Sequence, residues 1–317
     1  MTKVQNTSTK DDEVIAAIPM ACSDESAAAE FLEKQRWGEH PACPHCGDLD
    51  VYKMKSLTGE RQTNYRWRCH GCKQQFTVRV GTVFEESRIP LRHWCYAFWR
   101  ASTSKKGVSA LEIKRQTGLS YKSSLFLLNR IRFAMQETAP EMLAGDVEVD
   151  EVFIGGAPRH YNNSRKTKAR RKSIVVGMVQ RGGDVRPKIV ADVTGASLKA
   201  VIRENVERSS RVMTDEWSGY RGLHKEFEGG HETVRHSTHE YARGDVHTNS
   251  IEGFFGMLRR GLDGIYHSVS HEHLHRYLAE FQFRHNNRFL SDGQRTLAAI
   301  RSANHKRLTY KDCKVSI

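Results

Sequence analysis

Three acidic residues stand in strongly patterned contexts: Asp150 in VEVDEVFIGG, Asp215 in VMTDEWSGY and Glu252 in HTNSIEGFFGMLRRG. Two sit in or at the end of strand-like runs, and the third lies in a helical pattern. Carboxylates delivered by separate elements can converge on hard divalent cations, which need oxygen ligands and assembled negative charge. Such a site serves phosphoryl transfer on a nucleic acid. Two Mg²⁺ (or Mn²⁺) ions about 4 Å apart would activate a nucleophilic oxygen and stabilise the leaving 3′-oxygen. Catalytic zinc fits poorly, because it prefers histidine or thiolate.

Neighbouring acids leave alternatives open. In VEVDE, alternation puts Glu148 on the side of Asp150 and Glu151 on the opposite side, and either is a rival ligand; Glu216 is the rival of Asp215. The apolar run before Asp215 places it at a strand's C-terminal end, where α/β sites open, so Asp215 leads. A helix starting near Thr248 puts Asn249, Glu252, Gly256 and Arg259 on one face. There Glu252 can ligate a metal, Arg259 can meet a phosphate or orient DNA, and Asn249 can complete the metal shell or bind substrate. Gly253 and Gly256 leave room for a duplex to approach.

A second metal signal is independent of the first. Cys43-Pro-His-Cys46 and Cys69-His-Gly-Cys72 are two CxxC pairs separated by 22 residues that alternate like a hairpin. Each pair can place two thiolates about 2.3 Å from one tetrahedral ion. Cys43, Cys46, Cys69 and Cys72 therefore predict one structural Zn²⁺ in a zinc ribbon, with no open coordination position. Seven cysteines in 317 residues make no dense disulfide framework, and Cys22, Cys95 and Cys313 read as free thiols.

The formal net charge of +13 favours a polyanionic partner. Much of it is clustered. The loop APRHYNNSRKTKARRKS crowds Arg159, Arg165, Lys166, Lys168, Arg170, Arg171 and Lys172 between two strands, placed to grip DNA backbone. Upstream, Ser109 caps SALEIKRQTG, Gly118-Leu119-Ser120 turns, and YKSSLFLLNRIRFAMQE follows. This is the outline of a helix-turn-helix, with Tyr121, Lys122 and Ser123 facing DNA and Leu125, Leu128, Ile131 and Met135 packing inward. No stretch is apolar enough to span a bilayer and the N-terminus lacks a signal-peptide core, which predicts a cytoplasmic protein without membrane contact.

The expected organisation is multidomain. Residues 1–22 are read as a flexible N-terminus. Residues 23–87 carry a helix, capped by Ser23 and ended by Gly38, and the zinc ribbon. Residues 88–140 form the helix-turn-helix-like DNA-binding domain, 141–290 an α/β domain, and 291–317 a C-terminal tail. Strand, strand, strand, helix, strand, helix is the order of a ribonuclease H-like fold, which sets the first and fourth strands side by side. That adjacency would join Asp150 to Asp215 across 64 intervening residues.

With those residues in view, the chain resembles the DDE transposases of bacterial insertion sequences, most closely the insertion-sequence-1595 family, in which a zinc ribbon precedes the transposase domain. The resemblance runs from about Glu30 to Arg288. It rests on CPHCG with CHGCKQQFTVRVGTVFEESRIPL, KKGVSALEIKRQTGLSYKSSLFLLNRIR, VEVDEVFIGG, HTNSIEGFFGMLRRGLDGIYHSVS and YLAEFQFRHNNR. It implies cutting or copying at inverted-repeat ends by a homo-oligomer, a dimer or larger, acting on double-stranded transposon ends and target DNA in a bacterial cytoplasm. The family's acidic positions fall on Asp150, Asp215 and Glu252, with Asn249 as rival or co-ligand in third place, and its downstream basic residue falls on Arg259, where many relatives have Lys.

Two rivals follow from the same residues: a non-catalytic zinc-ribbon and helix-turn-helix regulator, for which the three acids would be scattered, and a nuclease of the same fold. A third pattern is a decoy. His271-Glu272-His273-Leu274-His275 satisfies HExxH, but Leu274 continues an apolar stripe with Tyr277, Leu278 and Phe281, which reads as a packing helix.

Overall fold

The computed structural model of this chain describes residues 13–155 and 172–313. They fall into two units, Met1–Gln136 with Asn287–Ile317 and Glu137–Asn286.

In the first unit the N-terminal segment is folded where it is described, which corrects the expectation of a flexible segment up to residue 22. Helix α1 (Glu13–Ser23) buries Ile18 and Ala21 and packs on α2 (Glu25–Trp37). The cap of α2 is Asp24 rather than Ser23: its carboxylate accepts the Ala27 N–H, satisfying one of the helix's orphan amides. Gly38 ends α2 at φ 62, where glycine has no Cβ to clash. Strands β1 (Val51–Lys53), β2 (Trp67–Cys69) and β3 (Gln75–Phe76) then pair antiparallel in that order. Trp37, Trp67 and Phe76 fill the small space under them.

Helix α3 (Leu91–Thr103) buries Leu91, Trp94, Cys95, Ala97, Phe98 and Ala101. Next come α4 (Ala110–Thr117) and α5 (Tyr121–Met135), joined by a turn that starts at left-handed Gly118, φ 74. Ser109 caps α4 by accepting the Glu112 N–H, and Ser120 caps α5 by accepting the Ser123 N–H.

The second unit is built on β4 (Asp146–Ile154), β5 (Ser173–Gln180), β6 (Val185–Val190), helix α6 (Gly195–Asn205), β7 (Arg211–Thr214) and β8 (His231–Thr233). A short hairpin of β9 (Ala242–Arg243) and β10 (Val246–His247) leads into α7 (Asn249–Gly261), a wider π-helical turn at Leu262–Tyr266, and α8 (His271–Asn286). The five-stranded sheet has the order β6-β5-β4-β7-β8. Strands β4, β5 and β6 meander antiparallel, while β7 runs parallel to both β4 and β8. The crossover helix α6 is what allows the parallel return.

Strand alternation divides the core into two layers. Val147, Val149, Val176 and Met178 pack against Leu198 and Ile202 of α6 on one face. Val152, Val175 and Val179 pack against Ile251, Phe254, Phe255 and Leu258 of α7 and Leu274 and Phe281 of α8 on the other. Gly177 of β5 pairs with Asp150 across the ladder. A Cβ on Gly177 would lie 2.6 Å from both Ile251 and Phe255 side chains, so its absence lets α7 settle onto the sheet beside Asp150.

The segment 291–317, set apart as a tail by its sequence, instead carries α9 (Asp292–Arg301) and belongs to the first unit. Ser291 and Gln294 close a capping box at its start, and Thr296 meets the buried Ser102 hydroxyl of α3 at 3.0 Å.

Gly177→Ala is expected to lower stability by ~1–3 kcal/mol through overpacking against α7. Gly253→Ala, with nothing within 4 Å of the added methyl, should be neutral or mildly stabilising in the same helix. Urea unfolding midpoints of the two variants check the contrast.

Candidate active site

The β4–β7 register pairs Asp146 with Arg211, Val147 with Val212 and Glu148 with Met213. Carried two residues further, the same offset sets Asp150 level with Asp215, just past the end of β7. Adjacent strands lie about 4.8 Å apart, so two carboxylates come from neighbouring backbones. Asp215 Oδ1 accepts the Trp217 N–H at 3.0 Å, which fixes the turn leaving β7. Asp150 Oδ1 accepts the Glu151 N–H at 2.8 Å.

The third acid arrives on α7, and a buried carboxylate places that helix. Thr248 at its N-cap makes no side-chain cap bond. Instead Glu148, fully buried, accepts the Ser250 N–H at 2.7 Å, the Ile251 N–H at 3.2 Å and the Ser250 hydroxyl at 3.0 Å. Arg181 Nε donates to the same carboxylate at 2.8 Å, and His247 Nδ1 lies 3.2 Å away. Glu148 is thus occupied in holding the N-terminus of α7. It sits two residues before Asp150 on the same strand face, so the helix is tied down directly beside that residue. Glu151 faces the opposite layer, where the buried Tyr220 hydroxyl bonds to it. Glu216 is exposed and accepts the Ser237 N–H at 2.9 Å.

Along α7, Ile251, Phe254, Phe255 and Leu258 are buried, while Asn249, Glu252, Gly253, Arg259 and Arg260 are exposed. Glu252 Oε1 accepts the Thr248 hydroxyl at 2.9 Å and lies 3.6 Å from His236 Nε2. The His236 ring in turn packs edge-on against Tyr241, centroids 5.4 Å apart. Sequence reasoning did not single out His236, Trp217 or the anchoring role of Glu148. A histidine in a polar loop carries no spacing signal, and a carboxylate that binds a distant helix looks like any acid in an alternating strand.

Electrostatics tie the three acids together. Burial pushes the Asp150 carboxyl up to about 7, and the charges of Glu151, Asp215 and Glu252 add to the rise against the opposing Glu151 amide. Burial also raises Asp215, partly offset by the Trp217 amide and His236. Glu151 is raised by burial too, with the Tyr220 hydroxyl opposing and the Asp215 charge adding. A divalent cation would relieve this crowding, and every donor is an oxygen, as Mg²⁺ or Mn²⁺ requires. Among the described residues only Cys43, Cys46, Cys69 and Cys72 gather three or more donor atoms within 4.8 Å of one another. The carboxylates therefore stand wider than a closed single-ion site, and the HExxH pattern of α8 gathers no such cluster. His271 Nδ1 instead meets Ser173 Oγ at 2.8 Å.

The cysteine site closes as its spacing predicts. Cys43 and Cys72 sulfurs are 3.7 Å apart, as are those of Cys46 and Cys69. Tetrahedral Zn²⁺ with bonds of about 2.3 Å requires sulfurs about 3.8 Å apart, so the four thiolates fit the ion without rearrangement.

Residues expected to meet DNA are divided. Tyr121 and Lys122 are exposed at the start of α5, with Lys122 Nζ 4.9 Å from the centre of the Tyr310 ring. Ser123 is half-buried and bonded to its cap. The helix's own arginines turn inward: Arg130 donates to the carbonyls of Val83, Glu85 and Leu308, and Arg132 is buried. Arg159, Arg165, Lys166, Lys168, Arg170 and Arg171 lie outside the described residues, and Lys172 is exposed just before β5. No described helix is long and apolar enough to cross a membrane.

Two family models match this chain: the ISXO2-like transposase domain over residues 142–286, nearly the whole second unit, and the transposase zinc-ribbon domain over residues 23–75. The "uncharacterized protein in transposable element ISH50" of Halobacterium salinarum is 30% identical over 276 residues, spanning 82% of this chain and 90% of the relative. An "uncharacterized transposase-like protein" of Haemophilus influenzae is 34% identical over 99 residues, 31% of this chain and 78% of that one. The chain belongs to the insertion-sequence-1595 family of transposases, with an N-terminal zinc ribbon and a C-terminal mixed α/β domain.

Two measurements probe the site as built. Glu148→Ala leaves Arg181 and two helix amides without their buried partner, and is expected to destabilise the protein by about 3–5 kcal/mol, read from urea midpoints. The Asp150 carboxyl is raised in the folded state, so its contribution to stability is full below about pH 4 and is lost as pH rises through about 7. In buffer free of Mg²⁺ and Mn²⁺, Asp150→Asn should therefore match wild type near pH 4 and exceed it at pH 8. The size is bounded by about 1.4 kcal/mol per pKa unit.

Proposed function

We propose that this protein is a DDE transposase of ribonuclease H-like fold that cleaves and joins DNA at the terminal inverted repeats of an insertion sequence. The observation that carries this reading is the parallel β4–β7 register, which ends at Glu148 opposite Met213 and, extended by two residues, brings Asp150 level with Asp215, together with the charges of Asp215 and Glu252 acting on Asp150. The strand order, in which the first strand of the second unit lies between the second and the fourth, supports the fold assignment. Family membership supports the substrate class.

In this reading Asp150, Asp215 and Glu252 hold a pair of Mg²⁺ or Mn²⁺ ions, with Asn249 beside them as a further oxygen donor or substrate contact. When bound, such a pair activates the attacking oxygen and stabilises the leaving 3′-oxygen of an in-line displacement at phosphorus. The chain's own residues set the geometry. The Trp217 amide orients the Asp215 carboxylate, Thr248 orients that of Glu252, and Glu148 fixes the helix. Arg259, exposed on the same face as Glu252, meets a DNA phosphate and orients the strand. With water attacking, the product is a nick with a free 3′-hydroxyl; with that hydroxyl attacking a second duplex, the same residues join strands.

DNA is held outside this centre. The turn between α4 and α5 places Tyr121, Lys122 and Ser123 at a helix start, where a helix-turn-helix presents side chains to the major groove. Lys172 and the basic residues from Arg165 to Arg171 supply phosphate contacts whose affinity falls with salt. Both transposon ends are handled together by a dimer or larger homo-oligomer. Structural Zn²⁺ on the four cysteines keeps the ribbon folded.

Incubating the full-length protein and Mg²⁺ with pre-cleaved ends of its own element and a target plasmid should give joined products. Asp150→Ala should lower joining at least 1,000-fold while retaining end binding in gel shifts. Cleavage without joining in the wild type would identify a nuclease of this fold. Joining that survives Asp150→Ala would remove the assignment of the site.

A further inference from the structure

Trp217 is 45% exposed, yet both its backbone and its indole nitrogen are hydrogen-bonded. Its amide is bonded to Asp215 Oδ1 at 3.0 Å, which fixes the backbone. Its indole N–H donates to the Val193 carbonyl at 3.4 Å, which fixes the ring. Gly219 makes the seat: a Cβ there would fall 3.0 Å from the pyrrole edge of Trp217 and 2.8 Å from Leu198, so a larger residue would press on both. The ring is thus packed along one edge, tethered at its nitrogen, and open to solvent two residues after Asp215.

A large exposed aromatic is unfavourable in water, and holding it still removes the rotamer freedom that would soften the cost. What a fixed, open indole offers is a stacking surface available before any ligand arrives, with little ordering left to do on binding. Unpaired nucleobases stack on such surfaces regardless of sequence, which offsets part of the cost of opening a terminal pair. Two residues after Asp215, in the transposase reading, the planar group such a ring would meet is a base of the substrate strand.

We propose that Trp217 is a binding platform for one unpaired nucleobase at the DNA end, so that the terminal pair is opened and the scissile phosphate is set over Asp150 and Asp215. The inference rests on the transposase reading above. Stacking on the indole compensates for the lost pair, and the contribution should appear only where a pair must be opened. A protein partner docking on the same ring is the rival occupant, and its signature differs.

The test uses full-length wild type, Trp217→Ala and Trp217→Phe on two versions of the element's end, one fully paired and one with its terminal bases mismatched. Trp217→Ala should cleave the paired end roughly 10- to 100-fold more slowly. It should recover to within about threefold of wild type on the mismatched end. Trp217→Phe, which keeps a ring face without the N–H, should stay within a few-fold on both. In parallel, 5-iodouracil placed at each terminal position of the wild-type complex should photo-cross-link to Trp217, located by mass spectrometry. Equal cleavage of both ends by Trp217→Ala and wild type overturns the proposal, as does a cross-link that maps elsewhere. A defect equal on both ends that accompanies loss of the oligomer in light scattering also overturns it, and assigns the ring to a protein interface. Wild type that neither binds nor cleaves either end defeats the transposase reading itself, and this proposal with it.

Discussion

Glu148 is the constraint on which the second unit's architecture turns. A carboxylate with no solvent exposure must be paired on all sides or it is prohibitively costly to bury, and this one is surrounded by donors: two helix amides, one hydroxyl and one guanidinium. Hydrogen bonds to a charged group contribute about 1.5–3 kcal/mol each, against about 1 for neutral pairs. The orphan amides that begin α7 are thereby satisfied by a strand rather than by the helix's own cap. The helix cannot shift along the sheet without stripping a buried charge of its partners. Glu252, one turn into that helix, inherits its position from a residue two places from Asp150.

A fixed helix alone does not bring two acids together, because carboxylates repel and each resists desolvation. Gly177 supplies the space and the apolar layer supplies the force. Ile251, Phe254, Phe255 and Leu258 are buried against the sheet, and their burial is worth about 1.5–3 kcal/mol apiece. That sum outweighs the penalty recorded in Asp150, whose carboxyl rises from 3.8 to about 7. The fold thus holds its acids in a state they would leave if the helix were free. Under the proposed function, a cation bound there would offset both the burial that does most to raise Asp150 and the smaller repulsion from its acidic neighbours.

Much of this was legible in the chain, for identifiable reasons. Two CxxC pairs constrain four thiolates so tightly that spacing alone determines the site, and Ser109 and Gly118 mark helix ends because their backbone chemistry admits few alternatives. The alternation in VEVDEVFI gave the strand and the face of Asp150. Other elements depended on partners that no local pattern names. Helix α1, with Pro19 inside it, is a weak helix until α2 and α3 cover Ile18 and Ala21. Helix α9 did carry a local signal, the Ser291–Gln294 capping box, which the polar run around it obscured. Strand alternation reports which face the Glu148 side chain takes, and so leaves it open as a ligand, but says nothing of the helix that covers it.

Charge counting has the same weakness. Arg130 and Arg132 make α5 look like a basic helix for a polyanion, yet both are buried, and Arg130 spends its donors on the carbonyls of Val83, Glu85 and Leu308. Guanidinium groups serve well in this role because their planar array of donors can gather several backbone acceptors while the aliphatic stem packs. Such arginines add to the formal charge of +13 but offer a duplex no direct contact. The surface that meets DNA must be drawn from exposed groups, of which Lys122, Lys172, Arg259 and Arg260 are four. Net charge therefore indicates attraction to a polyanion, whereas burial decides which residues can touch it, and only Arg259 and Arg260 among these four share a helix with Glu252.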